Sequence, residues 1–248
     1  MELSGEQRAR LAARLAMPRR DRSDAGQALG ATSAALVLSV GADNGAARLE
    51  ALAAALADER VVVPVAVEPH PDEAGHHAEW HGGPIAFAVS PTPAGPAIAV
   101  YSSAAALSAH RPGERPMGMD FRTVAMAALV ETGGRAVMDP GGAGVLLPRP
   151  TVAALAQGDR WLPPWRDGAL RALLIERARR ACPRVRDVRL SYAGEGVTRV
   201  TAVIDASGGG PGLRGAVGEA LAEIGRIPRL VAAADRVELV PVIAEPHQ

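Results

Sequence analysis

The chain has 248 residues, 48% of them hydrophobic and only 3% aromatic, with 27 basic residues against 27 acidic ones. A sizeable core built from Ala, Val and Leu is therefore expected, and zero net charge excludes a whole-protein field steering the chain to nucleic acid or anionic lipid. Every base is arginine, as in a high-GC bacterial genome, so a P-loop lysine, a Schiff base and a pyridoxal-phosphate anchor are excluded.

In chain order, residues 4–17 predict a helix, with Ser4 and Gln7 as a capping box and Leu11 and Leu15 on one face. The polar stretch PRRDRSDAGQ follows as a loop. ATSAALVLSV at 31–40 is the longest apolar run, about half the ~20 residues that a membrane span needs. With no signal peptide visible, a cytoplasmic protein without a membrane segment is expected. A helix at 47–58 leads into a strand at 61–67. Strands at 85–90 and 96–102 form a hairpin on PTPAG.

A helix at 120–131 is predicted to start on the Asp120 cap and stop at Gly133 and Gly134. Strands near 135–138 and 144–147 join through DPGGAG, and a short helix at 150–157 follows. WLPPW at 161–165 is the strongest boundary, because two prolines forbid a continuing helix. The second half reads as helix 167–182, strands 186–192 and 197–205, helix 212–225 and strand 237–243. The fold class is α+β, two domains, each a small mixed or antiparallel sheet with helices packed on it. The expected division is a helical or loop extension at 1–45, a first domain at 46–160, a linker at 161–167 and a second domain at 168–248.

EPHPDEAGHHAEWHGG at 68–83 holds four of the six histidines. His76, His77, Glu79 and His81 lie three and four apart, the spacing at which one helical turn offers imidazole and carboxylate to zinc, nickel or copper. A metal-dependent enzyme or metal-responsive protein using 70–81 is therefore one reading. The flanking prolines and Gly-Gly pair fit an exposed loop better. One cysteine, Cys182, excludes a disulfide within the chain and the zinc deaminase signature, and no HExxH helix occurs.

Between Arg166 and Arg189 eight arginines face three acids. Arg171, Arg177, Arg179, Arg180 and Arg184 form a candidate interaction surface for an acidic protein or, less well, a nucleic acid, since no aromatic residues interleave for base stacking. The glycine-rich ASGGGPGLRGAV at 206–217 matches no phosphate-binding fingerprint and reads as a connector. His110 has no evident partner, and Cys182 reads as core or near-surface filler unless the nearby arginines activate it. No nucleophile, base and orienting group assemble, so no catalytic residue and no cofactor are expected. The expected contacts are a protein partner or a second copy of the chain in a homodimer, through the sheet edges and the arginine-rich helix, with no membrane and nucleic acid disfavoured.

LEALAAALADERVVVPV at 49–65, AIAVYSSAAALSAHRPGERPMGMD at 97–120 and VLLPRPTVAALAQGDRWLPPW at 145–165 resemble the N-terminal domain of the SseB family, the enhanced serine sensitivity proteins of actinobacteria. The resemblance rests on a helix feeding a V-P-V strand, a strand followed by a serine-led helix, the turn MDPGG at 138–142 and an L-P-R-P strand end. Residues 168–243 resemble the C-terminal domain often attached to it. The resemblance implies a cytosolic, non-catalytic protein and no catalytic residues.

Overall fold

The computed structural model describes residues 24–65, 86–142, 144–207 and 210–244. Among them the chain runs α1 (Gly30–Leu36), α2 (Ala46–Ala55), β1 (Arg60–Val65), β2 (Val89–Thr92), β3 (Gly95–Val100) and α3 (Ala104–His110). It continues with β4 (Arg115–Asp120), α4 (Phe121–Glu131), β5 (Ala136–Met138), β6 (Val145–Leu147), α5 (Arg149–Gln157) and a 3-10 turn at Pro164–Arg166. The last elements are α6 (Gly168–Ala181), β7 (Val185–Tyr192), β8 (Val197–Ile204), α7 (Leu213–Gly225), α8 (Pro228–Ala233) and β9 (Arg236–Ile243). The class is α+β, as the sequence pattern predicts.

β1 pairs antiparallel with β4, and β2-β3-β5-β6 form a four-stranded mixed sheet in which only β3 and β5 are parallel. A bridge from Val62 to Tyr101, with both backbone hydrogen bonds at 2.8 Å, joins the two sheets. Val61, Val63, Ile98, Val100 and Phe121 are fully buried here. The third sheet, β7-β8-β9, is separate. In it β7 and β8 are antiparallel, β9 runs parallel to β8, and α6 and α7 cover one face with Leu170, Leu174 and Ile224.

Local chemistry explains the helix ends. Asp120, Ser103 and Asp167 cap α4, α3 and α6 by accepting the N–H groups of Arg122, Ala106 and Leu170 at 2.9, 3.1 and 2.9 Å. α4 ends as expected at Gly133 and Gly134, both in the left-handed region, and the Gly134 N–H closes onto Ala128 O at 2.7 Å. α1 lacks a cap of its own. Glu59, in the turn between α2 and β1, supplies one by accepting the Ala31 and Thr32 N–H groups at 2.9 and 2.7 Å. That contact brings α1, inside the stretch expected as an extension, onto the first core, where Ala35 is buried beside Leu49 and Val61.

β4 was not legible in the sequence. RPMGMD has neither a run of β-branched residues nor strict alternation, and it becomes a strand because β1 offers it a partner edge. The helix expected at 4–17 lies outside the described residues.

Two outer strands, β4 and β9, carry prolines at positions that face away from their sheet partners among the described residues. The Val62–Tyr101 bonds turn the even residues of β1 toward β3, so Val61, Val63 and Val65 face Met119, Met117 and Arg115, and Pro116 points away from the sheet. On β9 the Ala244 N–H donates to Ile204 O at 2.8 Å, so even residues face β8 and Pro241 faces away from it. Both edges therefore lack a donor where an incoming strand would need one.

Candidate functional site

His76, His77, Glu79 and His81 lie outside the described residues. Among the described residues no group of three or more histidines, cysteines or carboxylates is placed to hold a metal ion. No helix among them is long and apolar enough to cross a membrane.

α6 presents Arg171, Arg177, Arg179 and Arg180 of the candidate interaction surface, Arg184 follows it before β7, and most of them are tied to the fold. Arg171 donates through Nε to Val188 O at 3.0 Å and through Nη2 to Asp187 at 2.6 Å. Burial pushes the Asp187 carboxyl up, but hydrogen bonds from Arg171 and the Val188 N–H bring it net below its ordinary value. Arg179 donates to Val185 O at 3.0 Å and to Arg186 O, fastening the end of α6 to the start of β7. Arg180 pairs with Glu176 one turn back, and Arg184 reaches Ser207 O. Arg177 makes no hydrogen bond or ion pair among the described residues.

On the solvent side of α6, Ala172, Ile175, Glu176, Arg179 and Arg180 line an open depression of about 520 Å³. Their spacing of three and four places them on one helical face, opposite the buried Leu170, Leu174 and Ala178. Ile175 is partly buried against the second core, so the floor is apolar and the rim charged. Cys182, at the end of the same helix, is 1% exposed in that core, where it serves as filler.

A second polar cluster forms at the carboxyl ends of the parallel strands β3 and β5. Here His110 acquires the partner that the sequence did not reveal: the Tyr101 hydroxyl lies 2.9 Å from its Nδ1. Burial raises the Tyr101 pKa despite the nearby Arg111, so the phenol stays protonated, and the imidazole tautomer sets which of the two groups donates. Arg111 pairs with Glu114 at 3.1 Å. Across from them Asp139 adopts a left-handed φ of 49°, and its carboxylate accepts the Ser102 N–H at 2.8 Å. Gly141 packs so tightly on the His110 ring that a Cβ there would sit 2.5 Å from its Cβ and Cγ. Tyr101 is fully buried, and through it and Gly141 the cluster ties α3 to the β5–β6 turn.

The junction between the two cores is dense. Trp161 meets Trp165 edge-on, with centroids 5.7 Å apart, and Trp165 meets Tyr192 at 5.2 Å. Tyr192 belongs to the third sheet yet is buried in the first core, and Asn44 Nδ2 donates to its carbonyl at 3.1 Å. Trp165 Nε1 donates to Glu50 at 2.6 Å, and Arg166 reaches the same carboxylate. The WLPPW segment, read as a linker, is thus packed between both units.

Residues 33–154 match the family model described as the SseB protein N-terminal domain. No curated protein and no solved structure matches the chain.

Proposed function

Since the chain belongs to the SseB family through its first unit, we propose that it is a non-catalytic, cytoplasmic binding protein of regulatory or scaffolding type. In this reading residues 168–243 are the SseB C-terminal domain, and the outer face of α6 is the contact surface. Arg179 and Arg180 sit on that face, Arg177 lies on the flank of α6 away from it, and Arg171 and Arg184 support it through β7 and the loop after β8. The partner is a protein or a second copy of the chain. One observation carries the reading. In a chain of zero net charge, α6 combines a local excess of arginine with an open depression floored by Ala172 and Ile175.

Native mass spectrometry of the full chain, purified without a tag or nickel resin, tests it. A dimer or stoichiometric complex that dissociates in Ala172→Asp supports the proposal. A monomer carrying a metal mass that disappears in His77→Ala/His81→Ala would replace it with the metal-dependent reading of 70–81.

A further inference from the structure

The charges around the α6 depression point to the chemistry of what binds there; the inference rests on the α6 reading above. Nearby carboxylates are already engaged. Asp187 serves Arg171 and Arg189, and Asp205 serves Arg186. Asp205 is held far below the usual carboxylate range by hydrogen bonds from Ser207 and Arg186, which tie its charge to its own loop. Arg179 is held only by backbone carbonyls, so no carboxylate among the described residues offsets its charge. Within the depression Glu176 is the one anion, and it lies against Arg180 in an i,i+4 pair with both side chains more than half exposed. Such a pair is weak and is readily exchanged for a better-placed anion.

We propose that this depression docks an acidic peptide segment of a partner protein that carries one large apolar anchor. The anchor lies on Ala172 and Ile175, one carboxylate meets Arg179, and a second displaces Glu176 from Arg180. Glu176 thereby acts as an internal competitor that tunes affinity. A nucleic acid fits less well, because α6 carries no aromatic platform for bases and a phosphate backbone leaves the apolar floor uncovered.

The test is selection of the full-length protein against a displayed library of random short peptides, followed by fluorescence anisotropy with the enriched peptides. The expected peptides are rich in Asp and Glu around a single Leu or Phe. Ala172→Asp, at an exposed position, should weaken them about tenfold. Arg180→Ala should weaken them about fivefold, and Glu176→Gln should tighten them about threefold. Unchanged melting temperatures of these surface variants separate lost docking from lost folding.

Selected peptides that respond to Ala172→Asp but lack acidic residues overturn the acidic partner and leave the α6 surface standing. Peptides indifferent to Ala172→Asp, or no enrichment at all, overturn both the docking site and the α6 reading. Binding of a single-stranded RNA oligonucleotide that is lost in Arg180→Ala and falls steeply with salt overturns the peptide in favour of nucleic acid.

Discussion

Arg135 and Asp235, 100 residues apart, form a forked ion pair in which Nε and Nη2 donate to the two carboxylate oxygens at 2.7 and 2.6 Å. Asp235 is 1% exposed, and the Arg149 backbone N–H also approaches it at 3.5 Å. Arg149 Nη2 reaches Val231 O at 3.1 Å. With Tyr192 inserted in the first core, this fork makes the two units one body, because separating them would uncover a buried carboxylate and an aromatic ring.

Removing the fork should therefore cost far more than removing its exposed neighbour. Arg135→Met leaves Asp235 buried without its main partner and should cost about 3 kcal/mol. Arg149→Met removes a side chain that is 45% exposed and should cost under about 1 kcal/mol. Urea denaturation monitored by tryptophan fluorescence reads both, since Trp161 and Trp165 sit at the junction. Equal small losses would mean that the fork does not hold the units together.

Gly141 and His110 should be coupled. Gly141→Ala drives a methyl group into the base of the imidazole and should destabilise by about 2 kcal/mol. In a His110→Ala background the space is open, so the same change should be nearly neutral. A thermal-denaturation double-mutant cycle measures the coupling. Additive losses would show that the tight approach is relieved by backbone movement instead.

Stability should fall at both ends of the pH scale for separate reasons. The Arg60 hydrogen bond holds the Asp24 carboxyl below its ordinary value. For Asp167, burial acts upward but is outweighed by hydrogen bonds from the Leu170 N–H and Arg229. Folded values below unfolded ones mean that this stability is present above about pH 4 and is lost as pH falls through the folded values. Tyr101 and Tyr192 are shifted the other way, chiefly by burial. Their contribution is complete below about pH 10 and is lost as pH rises from there through the folded values. The chain has no lysine to blur this limb. Urea midpoints across pH should show both limbs, and Tyr192→Phe should flatten the alkaline one; an unaltered alkaline limb would exclude Tyr192 as its source.

Pro241 should protect the β9 edge. Val237 and Ile243 on that strand are 38% and 72% exposed, a surface that invites pairing when the backbone donor row is complete. Pro241→Val restores the outward N–H and should produce concentration-dependent oligomers in light scattering. A variant that stays in the wild-type oligomeric state would show that the proline is not what keeps this edge unpaired.

The sequence was most legible where structure is local. The Asp120 cap and the Gly133–Gly134 stop are set by neighbours within a few residues and were found where their patterns placed them, and the PTPAG hairpin was found with its first strand at Val89–Thr92 instead of 85–90. β4 and the Tyr101–His110 pair were not found. A polar, proline-bearing hexapeptide carries no strand periodicity, and no spacing rule links a tyrosine ending a strand to a histidine ending the next helix. The arginine-rich helix was legible as a charge excess, but which guanidinium groups are spent on Asp187 or the Val185 carbonyl was not.

Composition alone determined that lysine chemistry and paired-thiolate sites are excluded, because those need residue types that the chain lacks. Periodicity determined α+β, because the 3.6- and 2-residue repeats are properties of short segments. Only the tertiary structure decided that Glu59 caps a helix 27 residues earlier, that Asp235 fastens the second unit to the first, and that Pro116 and Pro241 face away from their sheet partners. Each of those depends on which elements meet, and burial of the two apolar cores, rather than any local motif, sets those meetings.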